Sequence, residues 1–267
     1  GQRRGKDKND MQDIKVSIFA SAVRVPFYKI FLESLRSTSI PFEVVFAGHN
    51  TPEEIKPFTE EYPFFKYIHT APIKPEQCYD AARRACVGDA IHITADDAEY
   101  SSDCIGKAYN YWKSLNDIRT MLSIQTIENM QFCDMKAHRF FWHQPDSPIM
   151  APMFFMSRQL LEDMGGFDRR YICGQGENDI VMRFVMEENG KVEIWGDKEN
   201  NITLDHMRRH GLVRPFATGY NHDRAILEGS WGNGKKVLSR RRDIHEPYTH
   251  DETFLLKSQS FNKQHWV

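Results

Sequence analysis

The chain is 267 residues long, with 40% hydrophobic and 12% aromatic residues. That apolar content offsets the ordering entropy of a large folded domain and excludes a wholly disordered polypeptide. Lys and Arg number 35 against 37 Asp and Glu, a formal net charge of −2, which excludes a bulk polycation that wraps nucleic acid nonspecifically.

Residues 1–10 are polar and lack the apolar stretch of a signal peptide. They read as a disordered leader or a cloning remnant. Val16 to Ala20 is an apolar run of strand type. Phe27, Ile30, Phe31 and Leu35 follow at helical spacing. Phe42 to Phe46 predicts a second strand. Thr51-Pro52-Glu53-Glu54 has the form of a helix start, with Thr as cap, Pro in the first turn and Glu three residues on. Residues 64–69 predict a strand, 75–87 a helix ended by Gly88, and 90–94 a fourth strand. Ser102 is placed to cap a helix reaching about Leu115. Residues 121–127 read as a strand, 131–151 as irregular, and 153–156 as a strand. Ser157 caps a helix that stops at Gly165-Gly166. A helix over 179–188 and strands over 191–195 and 202–204 complete the pattern, and beyond Gly211 the periodicity is weak.

Alternating strands and helices predict an α/β fold with a mostly parallel central sheet and helices on both faces, whose ligands bind beyond the carboxyl ends of the strands. No apolar run approaches the ~18–20 residues of a membrane span. The five cysteines, 78, 86, 104, 133 and 173, are odd in number and lack C-x-x-C spacing. They read as free thiols of a reducing compartment, and the chain as cytoplasmic.

Asp96 and Asp97 directly follow the fourth strand, at the carboxyl edge of the sheet. Adjacent carboxylates repel, and an oxygen-liking divalent cation relieves them; the competing reading is a turn cap at Asp96 beside a solvated Asp97. The surrounding stretch, Gly88-Asp89-Ala90-Ile91-His92-Ile93-Thr94-Ala95-Asp96-Asp97-Ala98-Glu99-Tyr100, resembles the D-x-D region of GT-A fold (nucleotide-diphospho-sugar transferase) glycosyltransferases, family 2 in particular. Residues 16–46 resemble that family's opening strand–helix–strand. Gly165-Gly166-Phe167-Asp168 with Gly176-Glu177-Asn178-Asp179-Ile180 resembles its "G-G-F-D…G-E-D-x-D-L" region. The resemblance covers about residues 11–206 and implies a GT-A domain over 11–210, with 211–267 as a C-terminal extension of that domain on the acceptor side.

The resemblance implies Mn²⁺ or Mg²⁺ held by Asp97, with Asp96 as a ribose contact or a support to the metal ligand, because Ala95 stands where the family has its first acid. Gly48-His49-Asn50 replaces the family's base-reading Asp pair, which leaves His49 and Asn50 as hydrogen-bonding groups for a base. The loop after the first strand, Ser21 to Arg24, is a nucleotide-sugar contact, with Arg24 able to pair with phosphate. His206 would complete the metal site in a mixed nitrogen–oxygen set; a lone His is also a common buried hydrogen-bonding residue. Glu177 and Asp179 are candidates for the general base, Asp179 preferred and the roles exchangeable, against a plain reading as helix-start carboxylates.

The basic cluster Lys235 to Arg242 reads as a solvated face or as a grip on an anionic acceptor, with Trp231-Gly232-Asn233-Gly234 before it as a hinge of a lid. The function expected from all this is metal-dependent, inverting, hexosyl-type transfer from a nucleotide-diphosphate sugar to a hydroxyl of a glycan, lipid or nucleic acid. The alternatives are a glycosyltransferase acting on modified DNA bases, a sugar-phosphate nucleotidyltransferase, and a non-catalytic sugar-nucleotide-binding protein.

Overall fold

A computed structural model describes residues 13–70, 74–140, 144–168, 170–204 and 220–232. Strands β1 (Val16–Ser21), β2 (Phe42–Gly48), β3 (Phe65–His69) and β4 (Ala90–Ile93) alternate with helices α1 (Tyr28–Ser34), α2 (Pro52–Glu61) and α3 (Pro75–Arg84). Next come β5 (Ala98–Tyr100), α4 (Cys104–Leu115), β6 (Thr120–Ile124), β7 (Thr126–Glu128), β8 (Gln131–Phe132), β9 (Phe154–Ser157) and α5 (Arg158–Asp163). The described part ends with α6 (Gly176–Met186), β10 (Lys191–Trp195), β11 (Ile202–Leu204) and α7 (Tyr220–Trp231).

Seven strands form the central sheet in the order β10-β6-β9-β4-β1-β2-β3. All its pairings are parallel except those of β9, which runs antiparallel to both β4 and β6. A second, four-stranded sheet has the order β5-β11-β7-β8. The expected α/β fold with a mostly parallel sheet is therefore observed. Alternate residues of β1 feed two cores, as the twofold repeat of a strand requires. Val16, Ile18 and Ala20 pack with Phe31, Leu32, Ile105 and Trp112 on one face; Phe19 packs with Phe154, Leu161, Ile180 and Trp231 on the other. Helices cover both faces.

Local signals mostly act as expected. Thr51 Oγ1 accepts from Glu54 N at 3.3 Å while Thr51 N donates to Glu54 Oε2 at 2.8 Å, a complete capping box. Ser157 Oγ accepts from Leu160 N, and Gly165 and Gly166 take positive φ (91° and 68°) where α5 stops. Three expectations are corrected. Asp103, at φ 53°, starts α4 in place of Ser102, because its carboxylate is tied to Ser39 N and Oγ. Gly88 does not cap α3, which ends at Arg84; a Cβ on Gly88 would lie 2.6 Å from Ser17 N, so the glycine serves close approach to β1. The expected strand over 121–127 divides at Gln125 between the two sheets, since Gln125 N donates to Trp195 O and Ile202 N donates to Gln125 O.

His92 of β4 is fully buried between the Phe154 carbonyl, 3.1 Å from Nδ1, and the Tyr100 hydroxyl, 2.9 Å from Nε2. Burial pushes its pKa down to about 4. The unfolded chain therefore takes up a proton near pH 6.5 that the folded chain refuses until about pH 4. The stability held above pH 6.5 falls through that window, by about 3 kcal/mol. Urea denaturation at a series of pH values is expected to show this loss, and His92→Gln to flatten the profile between those limits.

Candidate active site

Because β1, β2 and β4 run parallel, Ser21, Gly48 and Ile93 finish at the same edge of the sheet. The loops leaving that edge carry Arg24, His49, Asn50, Asp96 and Asp97. Asp96 and Asp97 are 1% and 0% exposed. Asp96 Oδ2 accepts from the backbone N–H groups of Val23 and Arg24, each at 2.9 Å, and Asp96 Oδ1 accepts from Arg24 Nε at 2.7 Å. The same guanidinium reaches Asp97 with both ends: Nη2 donates to Oδ1 at 3.0 Å and Nη1 to Oδ2 at 3.2 Å. The two carboxylates hold the Arg24 proton more tightly than usual against the opposing effect of burial. Asp96 thus binds the backbone of a loop distant in sequence, and Asp97 is buried, not solvated.

The loop bearing Arg24 is fixed from beneath. Asn50 Oδ1 accepts from Tyr28 Oη at 2.9 Å and lies 2.7 Å from Tyr67 Oη, while Asn50 Nδ2 donates to Val23 O at 3.2 Å. Tyr67 Oη is also 2.9 Å from Ala22 O. Gly48 lets this happen, because a Cβ there would lie 2.1 Å from Ala22 O and 2.5 Å from Tyr67 Oη. The Asn50 side chain is thus a bracket for residues 22–24. His49 beside it is exposed, and Ser21 is half-buried over Cys78. Burial pushes the Cys78 and Cys104 thiols up to about 12 and Cys173 up to about 11, so none of the three is a ready thiolate.

The acids at the start of α6 have unlike surroundings. Asp179 is fully buried. Its Oδ2 accepts from Arg183 Nε at 2.9 Å and its Oδ1 from Trp231 Nε1 at 2.7 Å. Arg183 continues to the carbonyls of Met164 and Gly166, tying α6 to the Gly165-Gly166 turn. Both Asp179 oxygens are therefore engaged and no face is open to an acceptor hydroxyl. A role for Asp179 as base would require one of these bonds to open. Trp231, read as part of a lid, is fully buried in the second core.

Glu177 is only half-buried, and burial raises its pKa against the lowering effect of nearby backbone N–H groups and of Glu76. Glu76, at the start of α3, accepts from Gly176 N through Oε1 at 3.3 Å, and its buried Oε2 has no hydrogen-bond partner. Burial, then the charges of Glu177 and Asp223, push Glu76 well above the usual carboxylate range. Of this coupled pair, Glu76 is pushed up the more strongly. Sequence reasoning missed Glu76, since an acid after Pro75 in a first helical turn looks like ordinary dipole complementation. Asp223 of α7 accepts from the N–H groups of Ile172, Cys173 and Gly174, fixing the segment that leads into α6. Tyr79, whose hydroxyl donates to Thr94 O at 3.0 Å, is within electrostatic reach of Glu76, Glu177, Asp96 and Arg24. The Asp96–Asp97 group and the Glu76–Glu177 group therefore belong to one region.

As a seat for a divalent metal this arrangement does not fit: both Asp97 oxygens accept from Arg24, and no cluster of three His, Cys, Asp or Glu suited to a metal occurs among the described residues. The other expected ligand, His206, lies outside the described residues, as do Lys235 to Arg242. Among the described residues no helix is long and apolar enough to cross a membrane.

No family model and no curated protein matches the sequence. Solved structures match in fold. The structure of S. aureus TarS 1-349 in complex with UDP superposes with TM-score 0.58 at 14% identity, covering 72% of this chain and 60% of that one. The TarS 1-349 complex with UDP-GlcNAc gives 0.59 at 15% identity, covering 87% and 69%. A longer S. aureus TarS structure gives 0.60 at 14%, covering 87% and 41%. The chain thus spans about three-fifths of the first of these neighbours. TarS is a glycosyltransferase, and the likeness shows a GT-A-like fold.

Asp179→Asn is expected to destabilise the protein by about 3–5 kcal/mol, because Arg183 then loses its buried charge partner. Trp231→Phe should cost about 1–3 kcal/mol from the lost hydrogen bond. Denaturant titration of both variants tests this structural role. Unchanged stability with a collapsed turnover for Asp179→Asn would return Asp179 to the catalytic set.

Proposed function

We propose that the protein is a glycosyltransferase that moves a sugar from a nucleotide-diphosphate donor to a hydroxyl acceptor. What carries this reading is the combination of a GT-A-like fold with a partly buried Glu177 at the carboxyl edge of the sheet. The TarS structures holding UDP and UDP-GlcNAc make uridine diphosphate sugars the first donors to assay.

In the proposed reaction Glu177 takes the proton of the acceptor hydroxyl as its oxygen bonds to the sugar's anomeric carbon. The bond from that carbon to the diphosphate oxygen breaks, and its electron pair leaves with the nucleoside diphosphate. Attack from the opposite side inverts the anomeric centre, as in the family the sequence resembles. Glu76 is a positioning residue: its side chain lowers the Glu177 pKa against burial. In this reading His49, exposed just after β2, is the candidate for the base, and Ser21 a candidate for the ribose.

Thermal melting with a panel of nucleotides identifies the donor, since a ligand of the native state raises the midpoint. Glu177→Gln is expected to lower kcat by about 10²–10⁴-fold with donor affinity kept. Nucleotide binding without turnover in the unmodified protein would instead favour the non-catalytic sugar-nucleotide-binding reading.

The pH profile separates Glu76 from a merely structural residue. The rate falls on the acid side as Glu177 is protonated, and that limb lies above the ordinary glutamate range because its pKa is raised. Glu76→Leu removes an influence that lowers the Glu177 pKa, so the limb is expected to move to higher pH, and Glu76→Gln, which keeps a polar group of the same shape, to restore most of its position. An unmoved limb in Glu76→Leu would remove Glu76 from the mechanism.

A further inference from the structure

We infer that Arg24 is the resident cation of the Asp96–Asp97 pair, filling the seat at which the resembling transferases hold a divalent metal. The guanidinium fork spans both acids: Nε and Nη2 on Asp96 Oδ1, Nη2 on Asp97 Oδ1, Nη1 on Asp97 Oδ2. Both carboxylates are essentially inaccessible to solvent, whereas the Arg24 side chain is 24% exposed. The arginine therefore closes the pair from the solvent side.

The seat is built and not incidental. A planar fork with fixed donors suits paired carboxylates better than any other side chain. The backbone N–H groups of Val23 and Arg24 bind the same Asp96 that the side chain binds. Asn50, Tyr67 and Gly48 hold that loop at this distance. A metal placed on the remaining lone pairs of Asp97 would lie beside the guanidinium, where like charges in a buried site repel. Entry of a divalent ion thus requires Arg24 to leave. With Arg24 absent, two adjacent buried carboxylates carry two uncompensated charges, the environment that draws a small oxygen-liking cation.

The inference concerns the cation seat alone and holds whichever donor the protein uses. Its test is Mn²⁺ titration of the full chain, read by the electron paramagnetic resonance signal of free Mn²⁺, with thermal melting alongside. Wild type and Asp97→Asn are expected to bind Mn²⁺ equally, showing no site that depends on Asp97. Arg24→Met is expected to melt lower than wild type and to gain one Mn²⁺ site at least about tenfold tighter than anything in wild type. Mn²⁺ should raise its melting temperature, and Arg24→Met/Asp97→Asn should lose the gained site. A wild-type Mn²⁺ site abolished by Asp97→Asn would overturn the inference, as would Arg24→Met binding Mn²⁺ no better than wild type. Should Arg24→Met fail to fold, the comparison of wild type with Asp97→Asn decides alone.

Discussion

Two ionised carboxylates side by side inside a protein repel unless a positive group stands between them and their surroundings. Asp96 and Asp97 impose that constraint at the end of β4, and the neighbouring loops are arranged around it. Arg24 reaches them only because residues 22–24 fold back over the sheet edge. That path depends on Ala22 O lying against Gly48 and Tyr67, where any side chain in place of Gly48 would collide. Asn50 then fastens Val23 from the β2 side. A requirement of electrostatics at one strand end thus explains the residue types at the ends of two others.

The opposite wall follows a similar logic with different partners. Gln175, at φ 74°, begins α6 in a left-handed conformation with no side-chain cap. The segment before it is held instead by Asp223 on three successive backbone N–H groups, and the helix after it by Asp179 through Arg183 and Trp231. α7 supplies Asp223 and Trp231, so this part of the C-terminal region is built into the main core. The described residues show no packing boundary between the two, whatever the region does for an acceptor. Glu177 lies between these fastenings and is the acid they leave half-exposed. The chain spends Asp179 on rigidity and keeps Glu177 accessible, a division that two acids two residues apart on one helical turn do not reveal by spacing.

How much could be read beforehand varied with the range of the interaction responsible. The strands of the central sheet and the caps Thr51 and Ser157 were legible because apolar runs and capping boxes are local signals. α7 escaped because its buried apolar positions, Leu227 and Trp231, are few in a dozen residues. β5, β7 and β8, of two or three residues each, take their pairing from the fold and not from their own composition. At the site, the position of Asp96 and Asp97 was legible from the strand before them. Their partner was not, since Arg24 lies 72 and 73 residues away and its pairing depends on how the loop turns. Glu76 was invisible for the same reason: its distinctive character comes from burial beside Glu177 and Asp223, both far along the chain.

A common character of the two acidic groups ties these points to function. Each places a buried acid beside a charged partner: Arg24 pairs with Asp97, whereas Glu177 adds to the burial that pushes the Glu76 pKa up. The first arrangement fixes a charge in place, and the second leaves a carboxylate able to take up a proton. Tyr79, in reach of both, lies between a site that holds its charge and a site that can change it. Group transfer to a hydroxyl needs that asymmetry, because the proton lost by the acceptor must go to a base whose basicity does not collapse into a neighbouring ion pair. In the proposed transfer, a second open acid on α6 would compete for the acceptor's proton. By burying Asp179 against Arg183 and Trp231, the fold leaves Glu177 as the one acid of the α6 turn still open to a proton from solution.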